Sequence, residues 1–361
     1  MKLQELEAFL QEHKQPKFRL EQIKKALFQE GVSSFAEIST LSKDLRELLE
    51  KEVPILSFVV EKVLISKDKK SMKALLQLRD GNRIEAVLIS PIEGIWSACV
   101  SSQVGCPLAC GFCSTGKMGL VRNLTAEEIT DQILFWKQYL KKSQISNLKS
   151  QINIESKIQK LEIKNYDVSN IVYMGMGEPF LNWVEVRKSL TDLIDEKMFG
   201  FSSRSISVST SGIPEGIEQL AAEFPQVNLA VSLHFGSDTK RSQIMPINRK
   251  NNLEALRQAL KKYFEKTKRK VFLEYVMLSG VNDSMKDAND LIEFVKSISK
   301  LQLLHVNLIR YNATDSEFKS SSKDRTVKFK EYLVSHNLGV TIRKSLGEEI
   351  QGACGQLVTE K

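Results

Sequence analysis

The sequence is poor in proline and glycine and has no long apolar run. Of its 361 residues, 8 are proline and 18 are glycine, while 42% are hydrophobic and 27% are charged. These proportions exclude a collagenous, disordered or membrane-embedded chain and indicate a globular protein with a large core. The longest stretch without charge, Ile95 to Gly116, is rich in polar groups that a bilayer interior would leave unsatisfied. We therefore expect no membrane span.

The chain also lacks an apolar secretion signal and has only a small excess of basic residues. Met1 to Glu5 leads directly into an amphipathic pattern, so we expect a cytoplasmic protein. Lys and Arg number 52 against 44 for Asp and Glu, which gives a net charge of +8. A polyanion such as RNA would favour this excess, but many unrelated proteins carry it, so charge alone indicates nucleic acid only weakly.

Two small regions precede the main body of the chain. Leucines and isoleucines at helical spacing predict a helical accessory domain over residues 1–54. The pattern then changes to strand-like runs, two of which are joined by Asp80-Gly81-Asn82, a sequence typical of hairpin turns. We therefore predict a small β hairpin extension over residues 55–95.

The remaining residues form repeated βα units. From residue 96 to 344, strand-like runs alternate with amphipathic segments, a pattern typical of parallel sheets. Six units instead of eight predict an α/β fold with a partial (βα)6 barrel of the TIM type. We interpret the Lys/Ser/Asn/Gln-rich residues 141–165 as an inserted surface segment. A seventh strand-like run, Val340–Arg343, precedes a polar tail, residues 345–361, that carries Cys354. The six runs are Ser97–Val100, Ile171–Met174, Ile206–Val208, Leu229–Leu233, Val271–Met277 and His305–Ile309.

Polar or glycine-rich residues follow each of these strands. In parallel α/β folds, the loops at the carboxyl ends of the strands converge on one face, where sites are built. Turns also favour Gly, Ser, Asn and Asp, so one such cluster would be uninformative, but six together predict a shared site. The clusters are Cys106–Gly116, Gly175–Pro179, Ser209–Gly212, Ser232–His234, Ser279–Asp283 and Arg310–Asn312.

Three of the five cysteines lie within eight residues of one another. Cys106, Cys110 and Cys113 form the pattern CxxxCxxC in a predicted loop. Three thiolates can hold three irons of a 4Fe-4S cube and leave the fourth iron open to another ligand. A structural zinc ion prefers four ligands, and no fourth Cys or His lies nearby in the sequence. We favour the cluster and keep a non-catalytic, zinc-binding RNA module as the alternative.

The CxxxCxxC spacing, with Phe112 before the third cysteine, resembles the radical S-adenosylmethionine (SAM) superfamily. That resemblance implies that SAM binds the open iron of a 4Fe-4S cluster and is cleaved to a 5'-deoxyadenosyl radical. A larger set of motifs resembles the RlmN and Cfr adenine methyltransferases over nearly the whole chain. These motifs are Cys99–Cys106, Cys113–Gly116, Met174–Pro179, Ser209–Gly212, Ser232–His234, Met245–Asn248, Glu274–Met277, Gly280–Asp283 and Ala353–Gln356.

The resemblance implies a two-step reaction that also uses the two remaining cysteines. One SAM methylates Cys354, and a second SAM yields the radical that takes hydrogen from this S-methyl group, whose carbon then joins the RNA base. Cys99 matches the residue that releases the linked RNA through a transient disulfide with Cys354, and Glu85 matches a proton acceptor. The other matching positions are the cluster ligands Cys106, Cys110 and Cys113 and the SAM contacts Gly177, Glu178, Ser209, Ser232, Leu233, His234 and Asn312.

Several of these residues also have ordinary interpretations. Cys99 has the position of a small buried strand residue. Glu85 alternates with apolar neighbours and is compatible with a solvent-facing side chain, so its role rests on the resemblance alone. His234 is compatible with a hydrogen-bonded core histidine. Glu178 carries a carboxylate that suits the ammonium group of SAM.

The resemblance further implies that the substrates are 23S rRNA and tRNA, methylated at C2 of an adenine, with C8 methylation as the alternative. Glu178-Pro179, Ser209–Ser211 and Cys113-Ser114 look more like the C2 group, whereas Val306–Asn312 looks closer to the C8 group. Ala313 stands where the family commonly has proline. The resemblance also implies RNA binding by the helical accessory domain and an electron donor such as flavodoxin or ferredoxin, and we expect a monomer.

Overall fold

The chain begins with a small helical region that has its own buried apolar faces. This computed structural model describes residues 3–152 and 167–358. Ser42 caps the third helix, because its hydroxyl accepts a hydrogen bond from the backbone N–H of Leu45. The region rests on the first barrel helix: Gln138 and Lys141 donate hydrogen bonds to the carbonyls of Val32 and Glu30. Its helices are α1 (Leu3–Glu12), α2 (Phe18–Lys24), which continues as a π-helical turn (Lys25–Gln29), and α3 (Lys43–Glu52).

The predicted hairpin region joins the main sheet instead of forming a separate layer. Its strands β1 (Phe58–Ile65), β2 (Ser71–Leu78) and β3 (Arg83–Ile92) are antiparallel, and β3 continues the sheet by pairing with β4 (Ile95–Cys99). The Asp80-Gly81-Asn82 turn connects β2 and β3 as expected, with Gly81 at a φ of +84°. Residues on β2 and β3 therefore lie next to the first strand of the barrel.

A two-stranded hairpin outside the main sheet carries the cysteine loop. It consists of β5 (Gln103–Cys106) and β6 (Gly119–Asn123), with the short helix α4 (Ser114–Lys117) between them. The two strands approach closely at Gly105, where a Cβ atom would overlap the carbonyl oxygen of Gly119. Gly105 also has a φ of +77°, a conformation that favours glycine.

The body of the protein is a parallel sheet with helices packed on it. After β4 the order of the parallel strands across the sheet follows the chain, with helices in the connections between them. The parallel strands after β4 are β7 (Val168–Tyr173), β8 (Ile206–Thr210), β9 (Asn228–Ser232), β10 (Val271–Met277), β11 (Leu304–Arg310) and β12 (Gly339–Arg343). The helices are α5 (Ala126–Ile152), α6 (Trp183–Ile194), α7 (Pro214–Glu223), α8 (Asp238–Ile244), α9 (Leu253–Lys266), α10 (Met285–Ser297) and α11 (Lys323–Ser335).

This architecture confirms the predicted α/β fold. The six expected strands are present, the seventh run forms β12, and the sheet begins at β1 and ends at β12 instead of closing. In the proposed inserted segment 141–165, α5 continues through Ile152, and residues 153–166 lie outside the described residues. Within the described ranges no helix has both the length and the apolar content needed to cross a bilayer.

We expect Gly105→Ala to lower the free energy of unfolding by more than Gly81→Ala does. Alanine is strained at both positions because φ is positive, but only at Gly105 would the methyl group overlap backbone, since nothing lies within 4 Å of a Cβ at Gly81. The difference should reach ~1–3 kcal/mol, the usual effect of overpacking. Urea unfolding of the two variants measures it, and equal losses would contradict the close approach of β5 and β6.

Candidate active site

The three thiols of the CxxxCxxC loop lie at one end of the barrel. Cys106 is the last residue of β5, Cys113 immediately precedes α4, and Cys110 is buried between them. Backbone hydrogen bonds fix the loop: the Cys113 N–H donates to the Cys110 carbonyl at 3.0 Å, and the Gly111 N–H donates to the Ile244 carbonyl at 2.9 Å. A separate apolar cluster packs around the loop and consists of Leu108, Phe235, Met245, Val276, Leu278 and Tyr311, together with Cys110 itself.

The environment of these thiols disfavours their ionisation unless a cation is bound. Burial raises the pKa of Cys106 to about 12 and also raises the pKa of Cys110, and the neighbouring thiols add to both shifts. Bound iron removes this penalty, because thiolates are its ligands. Across residues 3–152 and 167–358, no three His, Cys, Asp or Glu side chains lie close enough to hold a single metal ion. Three thiols on one loop would hold a 4Fe-4S cluster, whereas a structural zinc ion prefers four ligands.

The Gly175–Glu178 loop after β7 packs directly on the connection between β4 and β5. A Cβ on Gly175 would lie 2.6 Å from the Val100 carbonyl oxygen, and one on Gly177 would lie 2.6 Å from the Cβ of Gln103. Glu178 is buried, and its two carboxylate oxygens accept hydrogen bonds from the backbone N–H groups of Ser211 (2.7 Å) and Phe180 (3.2 Å). The side chains of Thr210 and Ser211 also donate to this carboxylate. The expected contact of Glu178 with an ammonium group stays a prediction.

His234, after β9, links the barrel interior to the cysteine loop. Its Nδ1 accepts a hydrogen bond from the Val276 N–H at 3.0 Å, and its ring meets Phe112 edge-on at 4.8 Å. Burial lowers the pKa of His234 to about 3, so the ring is neutral at physiological pH and carries its proton on Nε2. His234 therefore has the hydrogen bond and burial expected of a core histidine, and it also contacts the cysteine loop. The other expected SAM positions on these strands are half-buried Ser209 and Ser232 and buried Leu233.

Sequence reasoning missed Arg241, a fully buried cation on α8. Its guanidinium donates to the carbonyls of Ser211 (2.6 Å) and Leu233 (3.1 Å) and to the side chain of Asn248 (2.7 Å). Burial lowers the pKa of Arg241 to about 10. The residue therefore ties the loops after β8 and β9 together. The only signal in the sequence was the motif Met245–Asn248, which contains one of its partners.

The tail that carries Cys354 is docked across the mouth of the barrel. Asn312 donates from Nδ2 to the Cys354 carbonyl at 3.1 Å, and the Ser114 N–H donates to the Gly355 carbonyl at 2.8 Å. The Thr115 hydroxyl donates to the Leu357 carbonyl at 2.6 Å. Asn312, expected to contact SAM, thus holds the tail with its amide nitrogen. The tail is fixed to the helix that follows the cysteine loop and to the loop after β11.

A buried ion pair between β2 and β3 holds the tail from the opposite side. Lys73 Nζ lies 2.7 Å from Glu85 Oε1, and both side chains are less than one-tenth exposed. Lys73 also donates to the Gln351 carbonyl at 3.2 Å, and the Val358 N–H donates to Glu85 Oε2 at 3.0 Å. The solvent-facing interpretation of Glu85 is therefore wrong. Burial raises the pKa of Glu85, although Lys73 and the Val358 N–H oppose the rise.

The docked tail brings Cys354 close to the other cysteines. Cys354 keeps solvent-accessible surface. Even so, the protein packed around its thiol raises the pKa of Cys354. Glu274 and Cys113 raise this pKa further, whereas Arg343 lowers it. Burial raises the pKa of Cys99 at the end of β4, and Cys354 raises it further. Cys354 is thus an electrostatic neighbour of both Cys99 and Cys113. Cys354 is far from both residues in the sequence, so only the folded structure reveals this proximity.

Comparison with known proteins agrees with this geometry. Residues 100–294 match the family described as "Radical SAM superfamily", and residues 1–55 match "Ribosomal RNA large subunit methyltransferase N-terminal domain". A protein named "Ribosomal RNA large subunit methyltransferase Cfr" from Lachnoclostridium phytofermentans is 38% identical, with 100% of this chain and 98% of the relative covered. A "Probable dual-specificity RNA methyltransferase RlmN" from Thermotoga sp. is 39% identical, with 94% of this chain and 91% of the relative covered.

The fold is also similar to a solved structure. The crystal structure of a radical SAM methyltransferase from Sphaerobacter thermophilus aligns with a TM-score of 0.86 at 35% identity, covering 99% of this chain and 97% of the other. Similarity of this extent over the whole chain, together with the cysteine loop and the docked thiol, shows that the chain belongs to the radical SAM superfamily and, within it, to the family of RlmN and Cfr methyltransferases.

Proposed function

We propose that this enzyme methylates C2 of an adenine in 23S rRNA and in tRNA by way of Cys354. The observation that carries the proposal is the convergence of Cys354, Cys99 and the CxxxCxxC loop at the carboxyl edge of the sheet. Radical SAM enzymes use a 4Fe-4S cluster and SAM, and the names of the Lachnoclostridium and Thermotoga relatives support an RNA substrate.

Methylation at C8 is the second candidate. Relatives named Cfr, at 37% and 38% identity, are as similar to this chain as the relative named RlmN, at 39%, and Val306–Asn312 looks closer to the C8 group. We favour C2 on three local matches around the site itself: Cys113-Ser114, Glu178-Pro179 and Ser209–Ser211. These segments lie in the cysteine loop and after β7 and β8, where the reactants must meet.

The chemistry of the target explains why a protein thiol is needed. The C2 carbon of adenine lies between two ring nitrogens and is electrophilic, so it cannot attack the methyl group of SAM directly. When bound, the cluster and SAM supply a methyl group and a one-electron route to a carbon radical. Cys106, Cys110 and Cys113 would hold the cluster. Gly177, Glu178, Ser209, Ser232, Leu233, His234 and Asn312 would surround SAM.

The two remaining cysteines have separate tasks in this proposal. Cys354 accepts the methyl group and later carries the carbon that is joined to the base. The ring carbon then loses its hydrogen as a proton, and the odd electron that the addition leaves on the ring passes to an electron acceptor of the flavodoxin or ferredoxin type. The Cys99 thiolate then attacks the Cys354 sulfur. The carbon–sulfur bond breaks, its electron pair goes to the transferred carbon, which takes up a proton, and a Cys99–Cys354 disulfide remains for a thiol reductant to open. Arg343 assists the first task, because its positive charge favours the thiolate form of Cys354.

Glu85 holds the thiol in place through the tail. Both of its carboxylate oxygens are occupied, one by Lys73 and one by the Val358 N–H. The role of proton acceptor that the resemblance implies for Glu85 stays a prediction. In the same proposal the helical accessory domain contacts RNA, and an external donor of the flavodoxin or ferredoxin type supplies the electron.

We expect the reconstituted, oxygen-free enzyme to form 2-methyladenosine in 23S rRNA and in tRNA. Liquid chromatography with mass spectrometry of nucleosides separates this product from 8-methyladenosine, which would contradict the C2 assignment. Cys354→Ala is the control: it should abolish every methylated product, because no other thiol is docked in this position, while iron content and cluster absorbance stay unchanged. Normal turnover by this variant would refute the role of Cys354.

We expect Cys99→Ala to accumulate protein covalently linked to RNA. Without the Cys99 thiol, the carbon–sulfur bond to Cys354 lacks the nucleophile that is proposed to break it. Denaturing gels with labelled RNA detect the linked species, and nuclease digestion followed by mass spectrometry locates the bond. Repeated turnover without a linked species would show that Cys99 does not release the product.

We expect Lys73→Met to impair methyl transfer by releasing the tail. Removing one partner of a buried ion pair typically destabilises the local structure by ~3–5 kcal/mol. The anchors at Gln351 and Val358 should weaken together, since both depend on this pair. Limited proteolysis should cut the variant near Cys354 faster than wild type, with iron content retained.

The matched control is Lys62→Met on β1, which removes an exposed lysine from the same sheet. It should leave both proteolysis and methyl transfer unchanged. If Lys73→Met behaved like this control, the tail would not depend on the ion pair.

A further inference from the structure

The barrel interior contains a buried carboxylate with one unpartnered oxygen. Glu274 on β10 is 4% exposed. Its Oε1 accepts a hydrogen bond from Asn307 Nδ2 at 2.9 Å and lies 3.9 Å from Arg343 Nη1. Its Oε2 is buried without a hydrogen-bond partner among residues 3–152 and 167–358. Native proteins rarely leave such an oxygen unpaired, so a donor that is not part of this chain should fill the position.

The surroundings of Glu274 identify where that donor would come from. Glu274 pairs in register with Ser232 on β9 and Asn307 on β11, near the carboxyl edge of the sheet. It also lies close enough to Cys354 to raise the pKa of that thiol. A group bound at Oε2 would therefore be near the sulfur that carries the methyl group.

A partly exposed cation lies beside this position. Nη1 of Arg343, at the end of β12, the last strand of the open sheet, is 3.9 Å from Glu274 Oε1. The side chain of Arg343 is 46% exposed, so it combines a positive charge with access from outside. Arginine at a rim suits a phosphate group, and an unstacked base must enter with its phosphates remaining at the surface.

We propose that Glu274 Oε2 accepts a hydrogen bond from the 6-amino group of the target adenine and thereby selects adenine. The inference rests on the proposed function and adds a base-recognition residue to it. Adenine presents a hydrogen-bond donor at position 6, whereas guanine and hypoxanthine present a carbonyl acceptor. A carboxylate that already accepts from Asn307 would repel that carbonyl. The positions matched to SAM lie mainly after β7, β8 and β9, which leaves the β10–β12 side for the base.

Glu274→Gln should replace the free acceptor at the Oε2 position with a hydrogen-bond donor. Because Asn307 donates to the Oε1 position, the amide oxygen of glutamine should occupy it and place the amide NH2 where Oε2 was. The acceptor for the 6-amino group becomes a donor that suits a 6-carbonyl. The variant should therefore lose activity on adenine and lose less, or gain, on hypoxanthine.

The test compares RNA fragments that carry adenosine or inosine at the target position. For each enzyme we divide kcat/KM on the adenosine RNA by kcat/KM on the inosine RNA. The intrinsic reactivities of the two bases cancel when this ratio is compared between wild type and Glu274→Gln. We expect this ratio to fall at least about 10-fold from wild type to Glu274→Gln, as for one hydrogen bond to a charged group. Glu265→Gln, an exposed change on α9, should leave the ratio unchanged.

A second measurement separates the base from SAM. Methylation of Cys354 by SAM needs no RNA in the proposed reaction, and mass spectrometry of the protein measures it. Glu274→Gln should retain this step and the iron content. Loss of Cys354 methylation would assign the oxygen to SAM and overturn the inference, as would an unchanged adenosine-to-inosine ratio.

Wild type gives an independent check should the variant fold poorly. Equal dissociation constants of wild type for the adenosine and inosine RNAs would also refute the inference. Absence of any RNA methylation by wild type would instead refute the proposed function itself.

Discussion

One side of the tail that carries Cys354 depends on an ion pair buried between two strands outside the parallel barrel. Lys73 and Glu85 satisfy each other at 2.7 Å and each also binds the backbone of the tail. Each of these buried charges would be strongly unfavourable without the other charge or without its contact to the tail. The ion pair and the tail therefore stabilise each other. This arrangement places Cys354 at the mouth of the barrel while leaving it accessible, as the proposed role of Cys354 requires.

The docked tail lies near two chemically different groups of residues in the site. On one side lie the cysteine loop, His234 and the glycine loop after β7, all tightly packed against backbone. On the other side lie Glu274 and Arg343, where polar groups are less completely paired. Cys354 stands between them, within electrostatic reach of Cys99, Cys113, Glu274 and Arg343. A carrier thiol that serves two reactants in turn needs such an intermediate position.

The sequence alone predicted the fold and the cysteine loop well, because both depend on local patterns. Alternating strands and helices determine a parallel sheet, and three cysteines within eight residues must share one loop. Glu85 was harder to interpret: period-two alternation suggested a solvent-facing side, but β3 lies between β2 and β4, and the tail covers its remaining polar face. Lys73, Arg241 and the free oxygen of Glu274 were not predicted, since their partners are distant in sequence and meet only in the folded chain.

The contacts of Lys73 and Glu85 with the tail have a consequence for biosynthesis. They join residues separated by 278 and 273 positions, so they form only after nearly all of the described chain has been made. Contacts of such long sequence separation form late and slowly. A ribosome-bound chain could fold its barrel and load its cluster while the tail that carries Cys354 is still undocked. Under the proposed function, such a nascent molecule would be unable to trap RNA in a covalent adduct.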